Sequence, residues 1–266
     1  MDTILGRKPD YQQFAPEVLV ESDGPIRIVT LNRPEVRNAV NPKISDALAD
    51  IWRELGRDRD AAVVIITGAG RAFSAGGDIP TFRTGIDDRE VRRFNMREAQ
   101  RLAEAMASSH LPVIAAVNGA AAGLGCSVVS LCDIVIMSEK AFLVDPHVSL
   151  GLVAGDGPVA SWPLMMSLLR AKEYLLTGER IPAADALALG LANRVVPPEQ
   201  LMEEAMNFAR RLAKQPRQAI QDTKRALNLH LIQAIRQVMP FALATESESF
   251  LMTELHESIA QFEERT

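Results

Sequence analysis

The chain has few of the features that mark secreted, membrane or disulfide-rich proteins. Its 266 residues include two cysteines, Cys126 and Cys132, inside an apolar segment, which favours buried thiols in a reducing cytosol over a disulfide framework. The longest apolar runs, such as LPVIAAV at 111–117, are far too short to span a bilayer. The stretch MDTILGRKPDYQQF lacks the basic and apolar segments of a signal peptide. We therefore expect a cytoplasmic protein.

Several binding classes are also poorly supported. The formal net charge of −5 argues against a general affinity for nucleic acid or an anionic membrane. No Cys/His cluster has metal-ligand spacing, so we expect no metal site. GAGRAF (68–73) and GLGCSV (123–128) begin like dinucleotide fingerprints, but Phe73 and Val128 replace the third glycine.

The hydrophobic pattern predicts an α/β architecture with parallel strands. A hairpin at 18–22 and 26–31 precedes strands at 62–67, 112–117, 133–138 and 141–144, and helices at 43–56, 88–108 and 124–132 separate them. Residues 1–16 are expected to form an extended arm. A strand at 191–196 ends a core domain of residues 1–197. Residues 198–266 are predicted to form a helical oligomerisation region that buries its apolar stripes on the core or another subunit.

Two glycine-rich loops follow predicted strands. They are FSAGGD (73–78) and NGAAAGLG (118–125), and both lie where open α/β sheets bind ligands. Two converging backbone N–H groups there would form an oxyanion hole. On composition alone, plain turns explain the loops at least as well.

A third stretch, DPHVSLGLVAGDG (145–157), carries His147 and Asp156 among apolar residues and glycines. One interpretation makes His147 a turn residue and Asp156 the N-cap of a helix over SWPLMMSLL. The other makes them an acid–base pair, for which an imidazole is well suited near neutral pH.

Over residues 16–264 the chain resembles the crotonase family of enoyl-CoA hydratases and isomerases. The segments that carry the resemblance, in order and spacing, are LNRPEVRNAV (31–40), FSAGGDI (73–79), AAVNGAAAGLGCSVVSLCDI (115–134) and LLTGERIPAADALALGLANRVVP (175–197). The resemblance implies a spiral of ββα units with a helical C-terminal region, and homotrimers that pair into hexamers. It also implies a CoA thioester as substrate and no resident cofactor.

The resemblance places particular roles on this sequence. The two oxyanion N–H groups fall on Gly77 and Leu124. The positions that match the family's CoA and pantetheine path are Arg37, Ala39, Ala75, Gly77, Asp78 and Ile79. Asp78 is expected to hold its loop, and Arg33 and Arg37 are equally compatible with CoA phosphates and with a solvated surface.

The chain departs from the hydratase pattern at two catalytic positions. Ser127 and His147 stand where hydratases of the family carry glutamates, which puts ordinary hydration in doubt. His147 and Asp156 resemble instead a branch that includes 6-oxocamphor hydrolase, where a Trp-Pro like Trp162-Pro163 follows. By that resemblance Trp162 is a substrate-binding candidate.

The leading hypothesis is therefore an acyl-CoA lyase or isomerase with Gly77 and Leu124 as oxyanion donors and His147 and Asp156 as acid–base groups. The alternatives are a hydrolase of the same fold that cleaves a β-diketone or an acyl-CoA, and a non-catalytic or RNA-binding relative, against which the acidic charge argues. For Glu246, in the segment ATESES, a solvated helix face is the expectation, and contact with the site from the same or a neighbouring subunit is the alternative.

Overall fold

The computed structural model describes residues 8–264 and confirms the predicted α/β architecture. Its strands are β1 (Val18–Asp23), β2 (Ile26–Leu31), β3 (Val63–Gly68), β4 (Ala72–Ser74), β5 (Val113–Val117), β6 (Ala120–Ala122), β7 (Ile134–Ser138), β8 (Phe142–Val144), β9 (Ile181–Pro182) and β10 (Arg194–Val196). Its α-helices are α1 (Pro42–Arg57), α2 (Ile79–Asp87), α3 (Arg89–Ser108), α4 (Leu124–Ser130), α5 (Gly157–Met165), α6 (Leu168–Thr177), α7 (Ala183–Leu189), α8 (Leu201–Ala213), α9 (Arg217–Ser249) and α10 (Thr253–Glu264).

The larger sheet has the strand order β1-β2-β3-β5-β7-β10. The hairpin β1-β2 is antiparallel as predicted, and the strands from β2 to β10 pair in parallel. All six residues of β3 and all five of β5 are buried. Continuous apolar strands of this kind are typical of parallel sheets covered on both faces.

A second sheet has the order β4-β6-β8-β9. The hydrophobic pattern predicted only its strand β8, as 141–144, whereas the family resemblance implied the spiral of ββα units to which this sheet belongs. Each of its first three strands follows a strand of the larger sheet, and a helix comes next in each case, which gives the repeating ββα unit. The loops that end these short strands therefore gather at one place in the fold.

The local sequence explains where helix α1, which lies next to these loops, begins and which side of it is buried. The Asn41 side chain caps it by accepting a hydrogen bond from the Ile44 N–H at 2.9 Å, and Pro42 occupies the first helical position. Ile44, Leu48 and Ile51 recur at helical spacing and are fully buried in the main core. The helix is thus held against the sheet beside the loop 73–78.

The C-terminal helices pack on the core. Helix α8 contacts β3, β5 and β7, and α9 contacts α3 and α5. A domain boundary at 197/198 stays a prediction. Of the expected N-terminal arm, residues 1–7 lie outside the described part, and Gln12–Phe14 form a short 3-10 helix rather than extended chain. None of the described helices is long and apolar enough to cross a membrane.

Candidate active site

A cavity of about 970 Å³ lies where the short strands end. Its wall includes the loops after β4 and β6, the segment after β8, and residues from α3, α9 and α10. The two glycine loops and the stretch from His147 to Asp156, which the sequence analysis identified separately, all contribute to the wall of this cavity.

The two glycine loops touch each other. A Cβ added to Gly76 would lie 2.8 Å from the Ala122 carbonyl oxygen, and the backbones of Gly76 (φ +85°) and Gly123 (φ +48°) occupy conformations that L side chains rarely adopt. Glycine is therefore required at this junction, and it brings the backbone of residue 77 next to that of residue 124.

The N–H groups of Gly77 and Leu124 have no acceptor among the described residues. Both residues line the cavity, and Leu124 is the first residue of α4, where N–H groups have no partner within the helix. The arrangement offers two backbone donors and one helix N-terminus to a bound oxygen atom.

His147 is held by a neighbour that the sequence did not single out. Asp145 is 1% exposed, and its Oδ1 accepts hydrogen bonds from both the backbone N–H and the Nδ1 of His147. Because Nδ1 is engaged in this way, Nε2 is the ring nitrogen left for the cavity. It lies 3.9 Å from Asp156 Oδ2 and 3.9 Å from Glu246 Oε1.

Asp156 stands at the N-cap of α5, as the first interpretation predicted, but its side chain makes no capping hydrogen bond. The carboxylate instead faces His147, it is 7% exposed, and its Oδ1 has no partner. The structure therefore separates the two interpretations, since the residue has the position of a cap without its function.

Glu246 corrects the expectation of a solvated helix face. It is 6% exposed and lines the cavity from α9 of the same chain. Its carboxylate packs over Gly155, where an added Cβ would lie 2.0 Å from Oε2. Any side chain at residue 155 would thus displace this carboxylate, which explains the glycine before Asp156.

Three carboxylates and one imidazole share this buried space. Burial lowers the pKa of His147, but the charges of Asp145, Asp156 and Glu246 outweigh burial and raise it well above its ordinary value. Burial raises the pKa of Asp156, against the opposing effect of the imidazolium. It also raises the pKa of Glu246 to about 8, where the other two carboxylates add to it and His147 opposes it. At neutral pH the cluster therefore holds a cationic His147 and at least one protonated carboxyl.

The same groups have the spacing of a possible ligand set. The ligand atoms of Asp145, His147 and Asp156 all lie within 4.8 Å of one another, although sequence spacing indicated no metal site. One ring nitrogen of His147 is already bonded to Asp145, so a cation would find Nε2 and the carboxylates of the cavity.

Most of the predicted wall residues line the cavity. They are Arg37, Ala39, Ala75, Gly77, Asp78, Ile79 and Leu124. Asp78 has the structural role expected of it, because it caps α2 by accepting a hydrogen bond from the Thr81 N–H and lies 3.4 Å from the Arg33 guanidinium. Trp162 is the exception. It is fully buried in the main core and does not line the cavity, so its placement at the substrate is corrected.

Ser127 lies outside the cavity wall as well. It is 2% exposed, its hydroxyl donates to the Gly123 carbonyl at 3.2 Å, and a Cβ on Gly157 would lie 2.9 Å from its own Cβ. Helix α5 thus closes over this position, and the longer side chain of a glutamate would not fit without moving it.

The fold and this site define an α/β class of protein with two unpaired backbone N–H groups beside a buried cluster of carboxyl and imidazole side chains. A model of the enoyl-CoA hydratase/isomerase family matches residues 21–266. The chain belongs to this family, the crotonases, and is an enzyme of the hydratase/isomerase type.

The sequences and structures of individual relatives are similar to this chain over nearly its whole length. A short-chain-enoyl-CoA hydratase from Clostridium acetobutylicum is 34% identical, covering 88% of this chain and 87% of its own. An enoyl-CoA hydratase/isomerase structure from Mycobacterium paratuberculosis is 46% identical with a TM-score of 0.88, covering 92% and 98%. A β-diketone hydrolase structure from Anabaena sp. PCC 7120 is 31% identical with a TM-score of 0.85, covering 91% and 97%.

Proposed function

We propose that this protein acts on an acyl-CoA thioester, holding its enolate between the N–H groups of Gly77 and Leu124 while His147 and Asp156 move protons. The observation that carries the proposal is Asp156, a buried N-cap residue whose side chain caps nothing and faces an imidazole. No resident cofactor is needed, because the thioester itself supplies the electron-withdrawing group.

The oxyanion step follows from the two free donors. In a thioester enolate the negative charge rests on the carbonyl oxygen, which would accept from both N–H groups. Such preorganised donors stabilise the transition state more than the ground state, and removing one typically costs about 10²–10³ in rate.

The proton step follows from the 3.9 Å gaps around His147 Nε2. These gaps are too long for direct hydrogen bonds, yet a single oxygen about 2.8 Å from each partner fits between them. In hydration, that oxygen would attack C3 of the enoyl group and lose its proton to the Asp156 carboxylate. The resulting enolate would take a proton at C2 from the His147 imidazolium.

A second candidate is cleavage of a β-diketone, favoured by the absence of glutamate at Ser127 and His147 and by the similarity to the Anabaena hydrolase. Water would attack one carbonyl carbon, and the C–C bond would break. Its electron pair would form an enolate in the same oxyanion site, and a proton would then return to carbon. No comparable observation favours a non-catalytic or RNA-binding role.

One experiment separates the two candidates. Purified protein is incubated with a panel of enoyl-CoAs and a panel of cyclic β-diketones, and the products are followed by mass and absorbance. A hydrated or double-bond-shifted CoA product supports the first candidate, and a ring-opened acid formed without CoA supports the second. If neither panel is converted, both are contradicted.

We further propose the assembly that the family resemblance implies, a homotrimer or a hexamer made of two trimers. Sedimentation measures this directly.

A further inference from the structure

The charges on the cavity wall are unevenly distributed. Arg37, Arg71 and Arg180 line it with exposed side chains, so its cationic part faces solvent. The fourth arginine of the wall, Arg33, donates to the Ala39 carbonyl at 2.8 Å and lies against Asp78. None of these guanidinium groups belongs to the buried cluster around His147.

The buried part of the wall has two kinds of surface. One is the carboxylate cluster, where Asp156 Oδ1 and Glu246 Oε2 are buried without a partner. The other is apolar and consists of the buried residues Leu102, Phe250, Leu255 and Ile259 with the half-buried Phe82 and Met96 beside them. Among the described wall residues, neither surface includes a lysine or an arginine.

An acyl group that enters this cavity therefore meets either hydrocarbon or a cluster whose one cation, the His147 imidazolium, is outnumbered by the carboxyl groups of Asp145, Asp156 and Glu246. A carboxylate on its far end would be repelled when Asp156 and Glu246 are both ionised, or buried in hydrocarbon without a counter-ion, and both outcomes are costly. An apolar acyl group meets neither penalty.

We propose that the site selects acyl thioesters whose acyl group carries no negative charge, and that Glu246 and Asp156 set this selectivity against dicarboxylic acyl groups. The proposal rests on the proposed function, since it assumes that a CoA thioester is the ligand. A like charge about 6 Å away in a partly screened interior weakens binding by on the order of 100-fold.

Calorimetric titration at pH 8.5, above the pKa of about 8 to which burial raises Glu246, tests the proposal with CoA, butyryl-CoA and succinyl-CoA. The two thioesters differ by a terminal methyl against a carboxylate. We expect succinyl-CoA to bind about 100-fold more weakly than butyryl-CoA, and Glu246→Gln to narrow that ratio about tenfold. The matched control is Glu248→Gln on the exposed side of α9, which should leave the ratio unchanged.

The outcomes are distinct. Affinities of the two thioesters within threefold of each other would overturn the selectivity while leaving thioester binding intact. A ratio that is large but unaffected by Glu246→Gln would overturn the role of that residue. If CoA and both thioesters fail to bind, the proposed function itself is contradicted.

Discussion

The Leu124→Pro variant removes one proposed oxyanion donor and little else. Leu124 is the first residue of α4, where proline is well tolerated, and its N–H has no acceptor within the described residues. The preceding Gly123 (φ 48°, ψ −122°) lies outside the helical region that proline disfavours in its predecessor, and it has no Cβ to clash. The backbone therefore accommodates the substitution.

The expected loss is that of one donor at a developing oxyanion, about 10²–10³ in kcat. Stability should change by no more than about 1 kcal/mol, since no hydrogen bond within the protein is broken. The assay compares kcat with the substrate that the panel identifies and the midpoint of urea unfolding. Leu124→Ala is the matched control, because it removes the side chain and keeps the N–H. A Leu124→Pro enzyme with kcat within threefold of Leu124→Ala would refute the oxyanion role.

Three further predictions concern the buried acids. Asp156→Ala should lower kcat by about 10²–10⁴ with little change in thermal stability, because its side chain makes no capping hydrogen bond. Asp88→Ala, which removes the side-chain cap of α3, should keep full activity and lower the free energy of unfolding by about 1 kcal/mol. Equal effects of the two substitutions on the melting curves would contradict this contrast. Asp145→Asn should lower the pKa of His147, because it removes a charge that raises it, and so move the alkaline limb of the kcat–pH profile to lower pH; a limb that stays in place while kcat falls would point to a purely structural role. Folded Glu246 keeps its proton up to about pH 8, whereas an unfolded glutamate releases it near 4.5, so this residue makes stability fall as pH rises between those values. Glu246→Gln should remove that part of the decline, on the order of a few kcal/mol, and unfolding by urea at pH 6 and pH 8.5 measures it; an unchanged slope would show that Glu246 does not titrate in this range.

The sequence predicted the larger sheet and its helices because these elements are long enough to show a period. The hairpin and the buried strands β3 and β5 fall within a residue or two of their predicted bounds. Strand β8 falls within the predicted strand 141–144, but β4 and β6 were missed because three residues are too few for any alternation to be visible, so the second sheet was not predicted from the pattern.

The site was predicted in part, for a related reason. His147 and Asp156 could be predicted because they are close in sequence, and the two glycine loops because of their composition. Asp145 could not be predicted, because in the sequence it resembles an ordinary turn residue and only the structure shows its contact with the imidazole. Sequence alone also leaves His147 with its ordinary pKa, whereas in the structure its three carboxylate neighbours outweigh burial and favour the cation.

The burial of Glu246 could have been predicted from the helical pattern before the polar segment ATESES. Met239, Ala242 and Leu243 recur at helical spacing on the buried side of α9, and Glu246 continues that stripe. A charged residue on an apolar stripe indicates a buried group that has a partner, and here the partner is His147.

Exchange of deuterium into a saturated thioester is the most direct test of the central claim, that a thioester enolate forms between Gly77 and Leu124 with His147 and Asp156 moving the proton. Butyryl-CoA cannot be hydrated, so the appearance of deuterium at its C2 in D₂O, followed by mass and NMR, reports enolate formation alone. We predict exchange by the wild-type protein, exchange slowed by about 10²-fold or more in Leu124→Pro, Asp156→Ala and His147→Ala, and exchange retained in Leu124→Ala. Absence of exchange by the wild-type protein with bound butyryl-CoA, or undiminished exchange in Asp156→Ala and His147→Ala, would contradict it.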